Sequence, residues 1–144
     1  LRDHAKLQPC GQLLVYPVLD SRSERYASMQ AYPHAAWPRK SNECLWQSYL
    51  TDAPQANLPY LVPLQNDNFF NLPPTYIEPQ EIDILCDEAI CYANALQASG
   101  VPVELNKIAG SYHGFDSDVE NPFVQIVVAA RMLAMQRMLT PEEQ

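Results

Sequence analysis

Residues 75–138 alternate between short apolar runs and longer segments with helical periodicity, which is the feature that most limits the possible folds. The predicted elements are, in order, a strand at 75–77, a helix at 82–98, a strand at 101–108 and a helix at 122–138. Gly100 is expected to end the first helix, and Asn121 followed by Pro122 is a typical helix start. Strand, helix, strand and helix with short links build right-handed crossovers on a parallel sheet. We therefore expect an α/β fold.

Both predicted helices have an apolar face. The face of the first consists of Ile82, Leu85, Ala89, Ala93 and Leu96. The face of the second consists of Phe123, Ile126, Val127, Ala130, Leu133, Ala134 and Met138. We expect these faces to pack on the sheet, since apolar groups three or four residues apart lie on one side of a helix.

The first half of the chain is less regular. The run QLLVYPVL at residues 12–19 predicts a strand that is buried on both faces, as in parallel sheets. Residues 21–74 form a Pro-rich insert, in a chain with 13 Pro and only 4 Gly. Within it we expect a helix at Ser41–Leu50, capped by Ser41 with Glu43 in its first turn, that buries Cys44, Leu45, Trp46 and Tyr49. Residues 51–74 are expected to be loop.

Composition excludes several function classes. The net charge of −8 and the scattered basic residues oppose nucleic-acid binding, which needs clustered cations. No apolar run approaches the ~18 residues that a membrane-spanning helix needs. The four cysteines lack C-x-x-C spacing, and a chain of this size needs no disulfides, so we expect reduced thiols in the cytoplasm. The sequence begins without a Met and without the order of a signal peptide, as a fragment would.

Two polar motifs follow the predicted strands. Asp83 follows the first of them, and His113 follows the second in the sequence Gly110-Ser111-Tyr112-His113-Gly114-Phe115. Because the carboxyl ends of parallel strands lie at one sheet edge, we expect Asp83 and His113 to meet there. A carboxylate that accepts from one imidazole nitrogen leaves the other free to take a proton, which is the acid–base half of a hydrolytic triad. The alternative is a helix-capping Asp and an unrelated loop His.

The stretch from residue 72 to residue 116, with QLLVYPVLD upstream, resembles the C-terminal half of the α/β-hydrolase fold, specifically the hormone-sensitive-lipase-like esterases. The family pattern E-x-D-P-L-x-D-E is matched by Glu81, Asp83, Leu85, Asp87 and Glu88, and its H-G-F pattern by His113, Gly114 and Phe115. The resemblance covers nearly the whole chain, as one portion of a hydrolase domain over residues 1–144. Residues 75–138 carry the site, and residues 21–74 help to wall the substrate pocket.

The resemblance implies roles for several residues. It makes Asp83 the triad acid and His113 the general base of a carboxylic-ester hydrolase acting on small acyl esters, without a cofactor or metal. Ile84 replaces the Pro of the family pattern and would shape the pocket, together with Trp46 and Tyr49 of the insert. Trp37, Phe69 and Phe70 of the insert are further pocket candidates. For each aromatic residue, plain packing of a long segment is an equal alternative.

The family's nucleophile motif G-x-S-x-G and its oxyanion-hole motif H-G-G-G do not occur in these 144 residues. The resemblance places Leu1–Lys6 in the tail of the helix that follows the nucleophile. We therefore expect the chain alone to be inactive. A different hydrolase subclass, such as an acyl peptidase, remains an alternative.

A second, non-catalytic interpretation is a truncated hydrolase half that acts as a binding or self-association module. The edge beside QLLVYPVL would be left unpaired if the first strands of the sheet are missing. Dimers in the resembling family commonly use the last strand and the last helix. Here these are Val103–Ile108 and Phe123–Met138, so a homodimer is expected.

Three other features have structural interpretations that outweigh functional ones. Cys86 or Cys91 could be a nucleophile only if His113 lay beside it and its thiol pKa were lowered, so we expect buried structural thiols. His4, His34 and His113 lack metal-ligand spacing, so no metal site is predicted. Asp87 and Glu88 are explained as favourable negative charges in the first turn of a helix.

Overall fold

The computed structural model describes residue 3 and residues 8–140. The strands are β1 (Gln12–Val15), β2 (Thr75–Glu78), β3 (Gln80–Ile82), β4 (Val103–Leu105) and β5 (Ile108–Tyr112). The α-helices are α1 (Ser28–Ala31), α2 (Arg39–Tyr49), α3 (Leu58–Leu61), α4 (Cys86–Ala98) and α5 (Pro122–Leu139). Short 3₁₀ turns lie at Ser23–Arg25, Gln55–Asn57, Pro63–Gln65 and Phe115–Ser117.

All strand pairs in the described part of the chain are parallel, which confirms the predicted α/β class. The order in the larger sheet is β1-β2-β4, with Gln12 opposite Thr75 and Thr75 opposite Val103. β3 and β5 form a second parallel pair. Since β3 directly follows β2 and β5 closely follows β4, the same two segments of chain pair twice.

The break between β2 and β3 lies at Pro79, which has no N–H to donate to a neighbouring strand. Beyond it the chain is extended again, so Ile82 lies in β3, where it is 42 % exposed, and not on the first helix. α4 begins at Cys86 rather than at residue 82, so the prediction for Ile82 is wrong. The end of this helix before Gly100, with Leu96 buried, agrees with the prediction.

β1 is shorter than predicted. It ends at Val15 because Tyr16 has a φ of +37° and the next residue is Pro17, neither of which suits a continuing strand. Leu13 is exposed, so the expectation of burial on both faces is also wrong. Among the described residues β1 pairs only with β2, and its other edge is unpaired. The segment Leu1–Lys6, apart from Asp3, lies outside the described residues.

The helix in the insert begins two residues earlier than predicted. Its N-cap is Pro38, and Ser41 makes no capping bond. Glu43 instead forms an i,i+4 ion pair with Arg39 at 2.6 Å. The buried positions are Asn42 and Trp46, whereas the predicted apolar positions Cys44, Leu45 and Tyr49 are exposed. Residues 51–74, which we expected to be loop, contain α3 and two 3₁₀ turns.

Asn121 caps α5 as predicted, because its side chain accepts a hydrogen bond from the Phe123 N–H at 3.0 Å. The buried face is different from the predicted one. It consists of Val124, Val127 and Ala134, whereas Ile126 and Leu133 are 71 % and 56 % exposed. Compared with the prediction, a different face of the helix is turned toward the sheet. This is because Arg131, on the same face as Val127 and Ala134, donates to the buried carboxylate of Glu78.

Three apolar clusters hold these elements together. The first joins α4 to β2 and the insert through Leu19, Phe69, Ile77, Ala89, Tyr92, Ala93, Leu96 and Val101. The second joins the insert to the segment before α4 through Tyr26, Met29, Ile84 and Leu85. The third joins α5 to β5 and the loop after it through Ile108, Phe115, Val124 and Val127.

Candidate active site

Asp83 and His113 meet at the carboxyl edge of the β3–β5 pair. Ile82 and Tyr112, the last residues of these strands, are register partners, so the next residue of each strand lies at the same edge. The Nδ1 atom of His113 is 2.9 Å from Oδ2 of Asp83. The Asp83 carboxyl is buried, and the His113 side chain is 21 % exposed. The predicted juxtaposition is therefore present; the catalytic roles of the two residues stay predictions.

The carboxyl of Asp83 is fixed by the start of α4. Its Oδ1 atom accepts a hydrogen bond from the Leu85 N–H at 3.1 Å, and its backbone oxygen accepts one from the Cys86 N–H at 3.2 Å. The unpaired N–H groups at the beginning of a helix favour a negative charge there. Oδ2 of Asp83 is thereby left for His113. One oxygen of the carboxyl group thus binds the start of α4, and the other binds the imidazole.

The hydrogen bond sets the tautomer of His113. An ionised carboxylate can only accept, so the proton of the neutral ring is on Nδ1. Nε2 then carries a lone pair, and it makes no hydrogen bond to the residues that the structure describes. A ring in this state can take a proton from a donor placed beside Nε2.

The backbone after His113 turns sharply through Gly114, whose φ of +75° is in the region that side chains with a Cβ disfavour. The turn sends Phe115 into the third apolar cluster, where it packs with Ile108, Val124 and Val127. His113 therefore lies at the sheet edge, and the packing of Phe115 in the third cluster fixes the loop that carries it.

The imidazole of His113 is in contact with two aromatic rings. The ring of Tyr16 has its centroid 4.5 Å away with an interplanar angle of 48°, and the ring of Trp37 lies at 5.6 Å with an angle of 23°. Tyr16 directly follows β1, so its position at the carboxyl edge of a parallel strand could have been recognised in the sequence. Trp37 is brought there by the insert, and only its type and its segment indicated a pocket role.

The other three predicted pocket residues make no contact with His113 among the described interactions. Ile84 is completely buried and packs with Tyr26 and Met29 in the second cluster. Trp46 is buried with its ring 6.0 Å from that of Tyr49, which is 55 % exposed. Ile84 and Trp46 are thus packed in the core, and the pocket roles of Ile84, Trp46 and Tyr49 stay predictions. Among the pocket candidates of the insert, Trp37 lies beside His113.

Glu88 is the residue whose predicted role differs most from the structure. It lies in the first turn of α4 as predicted, but it is completely buried. Its Oε1 accepts hydrogen bonds from the N–H groups of Leu19 at 2.6 Å and Asp20 at 3.4 Å. Burial raises the pKa of Glu88 to about 8, and the nearby charges of Asp20 and Asp83 act in the same direction. The neighbouring Asp87 also connects α4 to the insert, since its carboxylate accepts a hydrogen bond from the Ser28 N–H at 2.8 Å.

The remaining candidates do not form sites in the described part of the chain. All four cysteines are free, and desolvation raises the thiol pKa of both Cys86 and Cys91, which opposes a thiolate nucleophile. Cys86 is buried as predicted, whereas Cys91 is exposed, so the prediction of a buried thiol is wrong for Cys91. His4 lies outside the described residues, and no group of three or more His, Cys, Asp or Glu side chains within them could hold a metal ion. No described helix is long and apolar enough to cross a membrane.

A parallel sheet with a buried Asp bonded to a His at its carboxyl edge is the arrangement expected of an α/β protein of the hydrolase type. The chain belongs to the α/β-hydrolase fold family, whose family model matches residues 1–117. The predicted resemblance to hormone-sensitive lipase is confirmed: hormone-sensitive lipase of Ictidomys tridecemlineatus is 32 % identical over 87 residues, which are 59 % of this chain and 11 % of the relative.

Two further relatives are esterases by name. Ethyl acetate hydrolase of Pseudomonas putida is 32 % identical over 108 residues, which are 74 % of this chain and 34 % of the relative. The solved structure of a bacterial heroin esterase superposes with a TM-score of 0.86 at 31 % identity, over 96 % of this chain and 45 % of that protein. The chain thus spans less than half the length of each of these relatives, and it belongs to a family of esterase- and lipase-type hydrolases.

Proposed function

We propose that this chain supplies the acid and the base of a carboxylic-ester hydrolase whose nucleophilic serine lies outside the 144 residues. The observation that carries the proposal is the 2.9 Å hydrogen bond between His113 Nδ1 and the buried carboxylate of Asp83, with Nε2 directed away from it. The names of the relatives, an ethyl acetate hydrolase and a heroin esterase, support ester substrates with a small acyl group.

In the proposed reaction the serine oxygen attacks the ester carbonyl while Nε2 of His113 takes the hydroxyl proton. The C–O bond to the alcohol then breaks, and the proton passes from Nε2 to the departing alkoxide, which leaves an acyl-enzyme. A water molecule gives a proton to Nε2 and attacks the acyl carbon, and the proton returns to the serine oxygen as the acid leaves. Asp83 stays ionised throughout and stabilises the imidazolium.

The proposal is tested on the gene product that carries this chain, expressed from the start codon of its gene. We expect it to hydrolyse p-nitrophenyl acetate and to lose that activity with His113→Gln. The proposal would be contradicted if the gene product hydrolysed none of the p-nitrophenyl esters with acyl groups from acetyl to hexanoyl. A near-normal rate in His113→Gln would also contradict it.

We further propose that the 144-residue chain alone is inactive, because none of its eight serines lies in G-x-S-x-G. Ser111, the serine nearest in sequence to His113, is buried and donates to the Ile108 backbone oxygen at 2.7 Å. A fluorophosphonate probe should leave the chain unlabelled. Stoichiometric labelling of one serine would show that the chain contains its own nucleophile.

The second candidate function is self-association, as a homodimer of this chain. The observation in its favour is the solvent-facing side of α5, which exposes Phe123, Ile126, Val128, Met132, Leu133, Met135 and Leu139. They lie on two flanks of the helix, and a large exposed apolar area is typical of an interface. Light scattering at several concentrations should give twice the monomer mass; Ile126→Glu with Leu133→Glu should give the monomer mass. A wild-type chain that is monomeric throughout the range would contradict this candidate.

The four free thiols support a cytoplasmic location, which stays a proposal.

A further inference from the structure

A buried ion pair connects the sheet to the last helix beside the candidate site. Glu78, at the end of β2, is completely buried, and Arg131 of α5 donates to both of its oxygens, from Nε to Oε2 at 2.9 Å and from Nη2 to Oε1 at 2.7 Å. Tyr76 and Gln80 also donate to Glu78, at 2.8 and 3.0 Å. The carboxylate of Glu78 is thus fully occupied by donors.

The third nitrogen of Arg131 continues the network toward the histidine loop. Nη1 donates to Oδ2 of Asp116 at 2.5 Å, and the guanidinium lies over the Phe115 ring, 5.7 Å from its centroid. Burial of the Asp116 carboxyl opposes its ionisation, but the hydrogen bond and the charge of Arg131 outweigh this effect and lower its pKa. Asp116 is ionised at neutral pH and can accept from a second donor.

That second donor is Tyr16, whose hydroxyl donates to Oδ1 of Asp116 at 3.1 Å. The same tyrosine ring lies 4.5 Å from the ring of His113. Tyr16 has a φ of +37°, a conformation that is unfavourable for a residue with a Cβ and persists only when surrounding interactions enforce it. The hydrogen bond to Asp116 is an interaction that holds the phenol in that place.

We propose that the chain of bonds from Glu78 through Arg131 and Asp116 to Tyr16 positions the imidazole of His113 against Asp83. Tyr16 and Asp116 are positioning residues, because they act through His113. The imidazole has one hydrogen bond, at Nδ1, and its ring can leave Asp83 by rotation about the Cβ–Cγ bond of His113. The Tyr16 ring blocks this rotation only while its hydroxyl is anchored.

Stability alone is a poor explanation for the network, since a buried ion pair is often no more stabilising than apolar residues of the same size. The network instead ends on two segments that both touch the candidate site, the residue after β1 and the loop after β5. What the positioned histidine does rests on the proposed function; the orientation of its ring does not.

The variant that isolates this effect is Tyr16→Phe, which keeps the ring and removes the hydroxyl. Asp116→Asn is the second variant, because it removes the charge with little change in shape. The matched control is Tyr26→Phe: Tyr26 donates to Asp20 at 2.7 Å in another Tyr–Asp pair, and it has no described contact with His113.

The readout is solvent exchange of the Nδ1 proton of His113, followed by NMR with ¹⁵N-labelled histidine and assigned by its loss in His113→Gln. We expect exchange about tenfold faster in Tyr16→Phe and in Asp116→Asn than in the wild type, the size expected for one lost hydrogen bond, and no change in Tyr26→Phe. Thermal unfolding confirms that each variant is folded. Exchange within twofold of the wild type in a folded Tyr16→Phe or Asp116→Asn would overturn the proposal, as would equal acceleration in Tyr26→Phe.

A kinetic readout in the gene product separates this proposal from the previous one. Tyr16→Phe should lower kcat about tenfold and leave KM within twofold, because the lost orientation affects proton transfer and not ester binding. If the gene product hydrolyses no ester, the proposed function fails, while the proton exchange of His113 still decides whether the network positions the ring.

Discussion

Trp37 lies nearly parallel to the imidazole of His113, with ring centroids 5.6 Å apart and an angle of 23° between the planes. The indole comes from the insert, whereas the imidazole follows the last strand of the sheet. The insert therefore covers one face of the proposed base and forms a wall next to the atoms that would react.

Replacing this wall should change substrate preference. We expect Trp37→Ala to raise KM for p-nitrophenyl acetate about tenfold, because the acyl group loses an apolar contact surface, and to affect the hexanoyl ester less. Steady-state kinetics of the gene product with the two esters measures the effect. Tyr49→Ala, at an exposed ring without a described contact to His113, is the control and should leave both values unchanged. An equal loss for both esters in Trp37→Ala would contradict a role in acyl selection.

Asp83→Asn should lower kcat by about 10³ to 10⁴, because an amide can donate to Nδ1 and so stabilises the wrong tautomer of His113. The matched control is Asp87→Asn, since Asp87, in the first turn of α4, also accepts from a backbone N–H, that of Ser28, but does not bond the imidazole. Ester hydrolysis by the gene product measures the change, and circular dichroism verifies the fold. A rate within tenfold of the wild type for Asp83→Asn would contradict its assignment as the triad acid.

Glu88 should make stability depend on pH. Its pKa is about 8 in the folded chain because of burial, against an ordinary value of 4.5, so the folded state binds more protons than the unfolded state between these values. The free energy of unfolding therefore falls as the pH rises from about 4.5 to 8 and levels off above. We expect wild type to lose on the order of 4 kcal/mol relative to Glu88→Gln over this range, at about 1.4 kcal/mol per pKa unit. Urea unfolding of both proteins across the range measures this difference. If the free energy of unfolding depended on pH in the same way in both proteins, the raised pKa of Glu88 would be contradicted.

The Glu78–Arg131 pair should show the energetics of a buried charge. Arg131→Met leaves the Glu78 carboxylate without its counter-charge and should lower the free energy of unfolding by about 3–5 kcal/mol. Adding Glu78→Gln removes the completely buried charge, so that only the less buried Asp116 stays without Arg131, and should restore most of that loss. The control on the same helix is Arg137→Met, whose exposed ion pair with Glu104 should contribute no more than about 1 kcal/mol. If urea denaturation showed that Arg131→Met and Arg137→Met lower the free energy of unfolding equally, a special contribution of the buried pair would be contradicted.

The parts of the fold predicted well from the sequence are those set by local signals. The Asn121 cap accepts from the backbone as its residue type predicts, and the ends of two parallel strands bring Asp83 and His113 together. Both depend on neighbouring residues and on a general property of parallel sheets.

The parts predicted poorly depend on contacts distant in sequence. α5 was assigned the wrong buried face because apolar spacing alone does not show that Arg131 bonds Glu78. The sequence does not predict the burial of Glu88, because a carboxyl in a first helical turn is normally exposed, whereas here two backbone N–H groups 68 and 69 residues away bind it. Trp37 and Trp46 could not be distinguished, since which indole reaches His113 depends on the path of the insert.

The three separate apolar clusters have a consequence for how activity would be lost. Ile84 and Leu85, directly after Asp83, belong to the cluster with Tyr26 and Met29, whereas Phe115, two residues after His113, belongs to the cluster with the last helix. The proposed acid and base are therefore anchored to different apolar clusters, and we expect each cluster to open as a local unit of its own. A local opening of either unit would part the two residues and stop proton transfer while most of the protein stays folded, so inactivation on heating should precede the main loss of secondary structure.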